Sequence, residues 1–233
     1  MNGMNPHGPG TERDPAHPPR LLGVLTVLTM VTGLVDAISY LGLGHVFTAN
    51  MTGNVVIIAF ALVGAPGFSL PASVISLAAF FVGAVAAGRM ELALRRRPRH
   101  HWLRACLAVE AGLLGVASAV AFALPSGVRY SVIALTALAM GMRNGTVRKL
   151  AVPDMTTTVL TLTVTGLAFD SSLAGGTNPR ALRRVAAVVV MLAGALLGGW
   201  LVLHHDLGWP LLISAITVAA TVLVLRPLPD KGT

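Results

Sequence analysis

The chain reads as an all-α, polytopic helical membrane protein: about six full spans, two short broken or re-entrant helices and an inverted internal repeat. Three observations carry that reading. Of 233 residues, 55% are hydrophobic and only 11% charged, with a mean hydropathy of +0.76; a soluble domain carries roughly 25% charged residues. The apolar runs are continuous over nearly a membrane's thickness, unlike the alternating segments of about ten residues that build an outer-membrane barrel. Finally, a polar block, Asn50-Met-Thr-Gly-Asn54, interrupts the apolar sequence and returns in altered form at Asp154-Met-Thr-Thr-Thr158.

Taken in order, residues 1–20 contain Pro6, Pro9, Pro15, Pro18 and Pro19; such a stretch cannot bury a core and reads as a disordered cytoplasmic tail. Leu21–Tyr40 is too long, and too polar at its end, for a cleavable signal, so it is the first span. Ala72–Leu92, Ala105–Leu124, Tyr130–Val147, Val185–Leu203 and Pro210–Leu225 are the others, each able to cross about 30 Å of hydrocarbon at 1.5 Å per residue. Thr52–Gly64 stops early at Gly64-Ala-Pro66, and Met155–Leu173 is threonine-rich and contains Asp170. These two are the expected broken segments. Residues 21–226 therefore form one membrane domain, with repeat one at 21–124 and repeat two at 128–226, and residues 227–233 form a second cytoplasmic tail.

The net charge of +8 sits in short connectors beside apolar runs, which points to topology signals and anionic lipid and away from nucleic acid. Arg95–Arg104, Arg143–Lys149, Arg180–Arg184 and the tail after Arg226 carry the basic residues, whereas Gly64–Pro71 and His204–Gly208 carry no Lys or Arg. If neither broken segment crosses fully, every basic cluster lies on one face. The expectation is then a multi-pass inner-membrane protein with both termini cytoplasmic. Cys106, the sole cysteine, excludes an intrachain disulfide and reads as a packing residue.

The repeat consists of three matches in one order. Asn50-Met-Thr-Gly-Asn-Val-Val56 aligns with Asp154-Met-Thr-Thr-Thr-Val-Leu160, Gly33-Leu-Val-Asp-Ala37 with Gly141-Met-Arg-Asn-Gly145, and Gly83–Gly88 with Gly194–Gly199. Under the expected topology the first span and Tyr130–Val147 run in opposite directions, making the halves inverted copies. Interrupted helices at matching places in inverted repeats point to a binding site near the membrane midplane. Asn50 and Asp154 precede apolar helical runs and would act as N-caps, leaving first-turn amides and a positive helix end facing inward. Such ends suit an anion or polar solute. The expected lining is Asn50, Thr52, Asn54, Asp154, Thr156 and Thr157, with Asp36, Asn144 and Glu110 as candidates for ion or proton coupling.

Each of these residues also has a plainer role. Asn-x-Thr-Gly would serve equally to cap a helix, Asp36 to reach interfacial water, and Glu110 to pair with Arg89 or Arg143. Arg143 itself would fit a buried counter-charge, an anion ligand or a topology signal beside Arg148 and Lys149. His204-His-Asp206 lacks a further ligand for a metal site. Trp102, Trp200 and Trp209 fall at span ends, where amphipathic rings prefer headgroups. No phosphate-binding Gly-Lys motif, Gly-x-Ser-x-Gly elbow or His-Glu-x-x-His helix occurs, so no enzyme, metal or cofactor is expected.

Over Gly33-Leu-Val-Asp-Ala-Ile-Ser-Tyr-Leu-Gly-Leu-Gly-His-Val-Phe-Thr-Ala-Asn-Met-Thr-Gly-Asn54, and again at Gly141–Asn144 and Thr156–Thr158, the chain resembles the YoaK-type family of small bacterial membrane proteins. The resemblance implies an inner-membrane protein of about six spans; it implies no substrate, because that family is itself uncharacterised. Two function classes follow from the residues. The preferred one is a small, oligomeric secondary transporter for a small polar or anionic solute; the alternative is a non-transporting membrane scaffold or regulator whose polar groups satisfy one another in a dry interface.

Overall fold

A computed structural model describes residues 19–123, 127–150, 160–178 and 181–225. Among these residues the regular structure is entirely helical. The elements are α1 (Pro19–Ala37), extended by a π-helical turn at Ile38–Gly42, α2 (Met51–Leu62), α3 (Leu70–Leu94), α4 (Arg99–Ala123), α5 (Arg129–Leu150), α6 (Leu160–Phe169), α7 (Ala181–His204) and α8 (Gly208–Val224). Segments Leu21–Gly42, Leu70–Leu94, Arg99–Ala123 and Ala181–His204 are long and apolar enough to cross a membrane. The 22-residue α5 carries Arg129, Arg143, Arg148 and Lys149, which lowers its hydropathy, and α8 has 17 residues. α2 has 12 residues, about 18 Å by helical rise, short of the roughly 30 Å of hydrocarbon, and the described part of α6 has 10 residues.

The large apolar exposure is that of a membrane protein: Phe81, Leu182, Leu203 and Leu223 are 69%, 85%, 73% and 80% exposed on helix exteriors. Inside, the principal packing partners are α3 with α5, α1 with α7 and α4 with α8. Glycine makes the first two pairings close. A Cβ on Gly83 would strike the Leu138 carbonyl, and one on Gly141 the Phe80 carbonyl; in the other crossing Gly33 faces the Met191 carbonyl and Gly194 the Met30 carbonyl. Small residues let membrane helices approach to backbone contact.

Contacts between elements fix which ends lie together. Arg99 Nη2 donates to the Lys149 carbonyl at 2.8 Å, and Lys149 pairs with Glu91 at 3.0 Å. Leu21, Leu103, Leu150 and Leu225 share one apolar cluster. The start of α1 and α4 and the end of α3, α5 and α8 therefore meet at a basic end, with Arg183 beside Leu22. At the other end the His45 ring is 3.1 Å from the Gly67 carbonyl, and Arg129 donates to the Gly44 carbonyl.

After α1 the chain turns back on itself. Gly44 and His45 both have positive φ, 85° and 59°, a conformation that glycine adopts freely and histidine only occasionally. The His45 ring packs edge-on to Tyr40, and Phe47 stacks on the same Tyr40. The following residues carry the backbone inward again, until Ala49 donates to the Asp36 carboxylate at 3.1 Å. Asn50 then caps α2, accepting from Gly53, and α2 returns to the end it came from, where Phe60 meets Phe68.

Candidate functional site

Beside that returning backbone lies a cavity of about 390 Å³, lined by Thr32 and Asp36 of α1, Ala49 and Asn50 of the α2 entry, four residues of α6 and Met191 of α7. Thr32 and Asp36 are four residues apart and share a helix face. Asp36 is 92% shielded (8% exposed), and one carboxylate oxygen accepts from the Ala49 amide. The α6 wall contributes Leu160, Thr161, Val164 and Thr165; Thr165 donates its hydroxyl to the Thr161 carbonyl at 2.8 Å. The cavity thus joins a carboxylate, an amide side chain at a helix N-terminus and threonine hydroxyls to apolar walls. That composition suits a small polar ligand.

Behind Thr32 lies a second polar cluster. Arg143, fully buried in α5, pairs with Glu110 of α4 and donates to the Leu28 carbonyl at 2.9 Å and to Thr32 Oγ1 at 3.0 Å. Both charged side chains are essentially inaccessible. Of the three roles open to Arg143 in the sequence, buried counter-charge is the one its surroundings match. A topology signal would stand at the water interface, as Arg148 and Lys149 do. Glu110 is accordingly a bonded member of a three-helix junction and does not line the cavity. Its second oxygen and Arg143 Nε have no hydrogen-bond partner among the described residues.

The structure brings only some of the expected residues to this cavity. Asn50 and Asp36 face the cavity. Asn54 does not: it is fully buried, its Oδ1 accepting from the Phe47 amide at 2.9 Å and its Nδ2 donating to the Phe47 carbonyl at 2.6 Å and to Ser76 Oγ at 3.1 Å. Four residues separate it from Asn50, but the turn before α2 presents backbone groups that only an inward amide can satisfy. Thr52 is exposed and is not among the cavity-lining residues. Asn144 donates to the Met140 carbonyl at 2.9 Å, within its own helix, and also lies away from the cavity. Asp154, Thr156 and Thr157 lie outside the described residues.

Thr32, Thr161 and Thr165 escaped sequence reading. Thr32 had a readable signal, its four-residue spacing to Asp36. The pair Thr161 and Thr165 had the same spacing, but nothing in the sequence said which face of α6 borders the cavity; both are exposed there, and the buried threonine of α6 is Thr163. Asp170, expected near the end of that segment, pairs with Arg184 at 2.6 Å, and Arg184 also donates to the Gly166 carbonyl. This clamps the end of α6 to α7.

Comparison with known proteins agrees with the reading of a membrane protein. The chain is 34% identical over 152 residues to the UPF0700 transmembrane protein YoaK of Bacillus subtilis (strain 168), a match covering 64% of this chain and 66% of the relative, so the chain spans just under two thirds of that protein's length. No solved structure matches. A family model covers residues 24–224, from the second turn of α1 to the last residue of α8, and so takes in both the cavity and the buried ion pair. This multi-pass membrane protein belongs to the family described as "Protein of unknown function (DUF1275)".

Proposed function

We propose that the chain is a small secondary transporter of the bacterial cytoplasmic membrane, not an enzyme, and that it carries a small polar or anionic solute through the Asp36–Asn50 cavity. The observation that carries the reading is the convergence of Asp36, the capped start of α2 and the threonine face of α6 on one cavity between interrupted helices. Buried polar groups are costly in a membrane and persist where they serve a pathway or one another. Here Asp36 has no salt-bridge partner among the described residues, and Asn50, Thr161 and Thr165 are exposed at the cavity.

The mechanism has two inverted halves, α1–α4 and α5–α8, rocking about the cavity. Support comes from the glycine crossings: adding 108 to Gly33 and Met30 gives Gly141 and Leu138, and adding 111 to Gly83 and Phe80 gives Gly194 and Met191. The α3–α5 crossing then corresponds to the α7–α1 crossing with the halves exchanged. In this reading six helices span, α2 and α6 are half-length segments entering from opposite faces, and the basic end with both termini is cytoplasmic. The assembly is a homo-oligomer, whose small-residue faces allow helices to meet closely.

The positive end of α2 favours an anion, whereas ionised Asp36 opposes one. Protonation of Asp36 removes that opposition, so the reading includes proton symport. The test is thermal stabilisation of purified protein across a panel of small metabolites, with Asn50→Ala as control. A solute that raises Tm for the parent protein and not for the variant supports the site. Stabilisation unchanged in Asn50→Ala removes Asn50 from it; no stabilisation by any polar solute favours the scaffold class.

A further inference from the structure

We propose that the basic end of the α3–α5 crossing binds one anionic phospholipid, with its headgroup among Arg95, Arg97 and Arg148 and an acyl chain laid in the groove over Gly88. This does not rest on the transport reading; it requires only that the protein spans a bilayer. Two adjoining cavities of about 250 and 350 Å³ share Glu91, Trp102 and Lys149 as common walls. The outer one adds Arg95, Arg97 and Arg99; the inner one adds Arg148 and the small residues Ala84, Ala87, Gly88 and Gly145. Five cationic side chains thus surround a single carboxylate, and that carboxylate is engaged by Lys149 at 3.0 Å. No acidic partner engages Arg95, Arg97 or Arg148 among the described residues.

The apolar part argues for a lipid over a free anion. Gly88 is exposed, and a Cβ built on it would meet nothing within 4 Å, so the groove is open there. Gly88 lies seven residues below Arg95 on α3, about 10 Å by helical rise, which spans the step from headgroup phosphate to upper acyl chain. The Trp102 ring, buried and donating to the Ala87 carbonyl at 3.3 Å, stands at the boundary between the polar and apolar parts. Basic pockets between membrane helices are recognised sites for anionic headgroups.

Native mass spectrometry of the delipidated full chain in detergent, with dioleoyl phosphatidylglycerol or dioleoyl phosphatidylcholine added, tests the site. The expected result is phosphatidylglycerol adducts in excess by about tenfold or more. That preference falls to near unity in Arg97→Gln/Arg148→Gln, and phosphatidylglycerol binding falls several-fold in Gly88→Leu, which fills open space without disturbing a helix crossing. Should the double variant misassemble, Arg97→Gln alone carries the charge test. Equal adducts for the two lipids, unchanged phosphatidylglycerol binding in the variants, or displacement of the lipid by millimolar inorganic phosphate would each overturn the proposal.

Discussion

Two carboxylates lie inside this bundle, and their surroundings differ in kind. Glu110 faces a guanidinium, and the pair is closed off by three helices. Asp36 faces the Ala49 and Asn50 backbone amides and a cavity. In a hydrocarbon environment the first arrangement neutralises a charge in place, while the second leaves a carboxylate where a solute or proton can reach it. An intramembrane acid has to be judged by what completes its coordination, since residue type and burial are alike here. Thr32 joins the regions, accepting from Arg143 while lining the cavity.

The sharpest way to break the comparison is to remove one partner of the closed pair. Glu110→Gln or Arg143→Gln strands the other group, at an expected cost of about 3–5 kcal/mol, read as a large fall in Tm and folded yield in detergent. Glu110→Gln combined with Arg143→Met should recover most of that loss, because the stranded charge is gone. Recovery of nothing would mean that the Arg143 bonds to Leu28 and Thr32 hold the junction without help from Glu110.

An intermediate effect is expected at the hinge of the cavity wall. Asn54→Ala removes the acceptor for the Phe47 amide and a donor to its carbonyl, and an orphaned buried group costs about 1–3 kcal/mol. The readout is increased hydrogen exchange over residues 45–50 together with a lowered Tm. Gly33→Ala, which drives a Cβ into the Met191 carbonyl, should cost a similar 1–3 kcal/mol, about that of overpacking. Its counterpart Gly141→Ala should behave alike, and a large difference between the two would weaken the correspondence of the crossings.

The smallest stability effect belongs to the open carboxylate. Asp36→Asn keeps an acceptor for Ala49, so the change in stability should stay within about 1 kcal/mol, while uptake in vesicles loses its pH dependence. For Asp36 the sign is set by the mechanism: proton symport is favoured as external pH falls, and the variant flattens that rise. A neutral variant as unstable as Glu110→Gln would make Asp36 a structural residue.

Much of this was legible in the sequence because hydrocarbon imposes length and continuity. The four helices long and apolar enough to span and the early stop of α2 follow from where Pro, Gly and Arg interrupt apolar runs. The Asn50 cap follows from an amide placed just ahead of an apolar helix. What stayed hidden was direction around a helix axis. Asn50 and Asn54 look like one constellation, yet Asn54 turns toward Phe47 and Ser76 because the backbone returning from Gly44 leaves polar groups there. In the same way, α6 is apolar and threonine-bearing all round, so its inward face is fixed by packing on α7 and not by its own pattern.

Thiol labelling at the α6 wall tests the central claim most directly. In a Cys106→Ala background, Thr161→Cys and Thr165→Cys should react with a small membrane-impermeant methanethiosulfonate, and a bulky substituent at Asn50, as in Asn50→Trp, should slow the reaction several-fold. Cysteines that stay unreactive from both faces of the membrane, under conditions where a loop cysteine at Gly67 is labelled, would contradict a solute pathway at Asp36 and leave the cavity a dry packing defect.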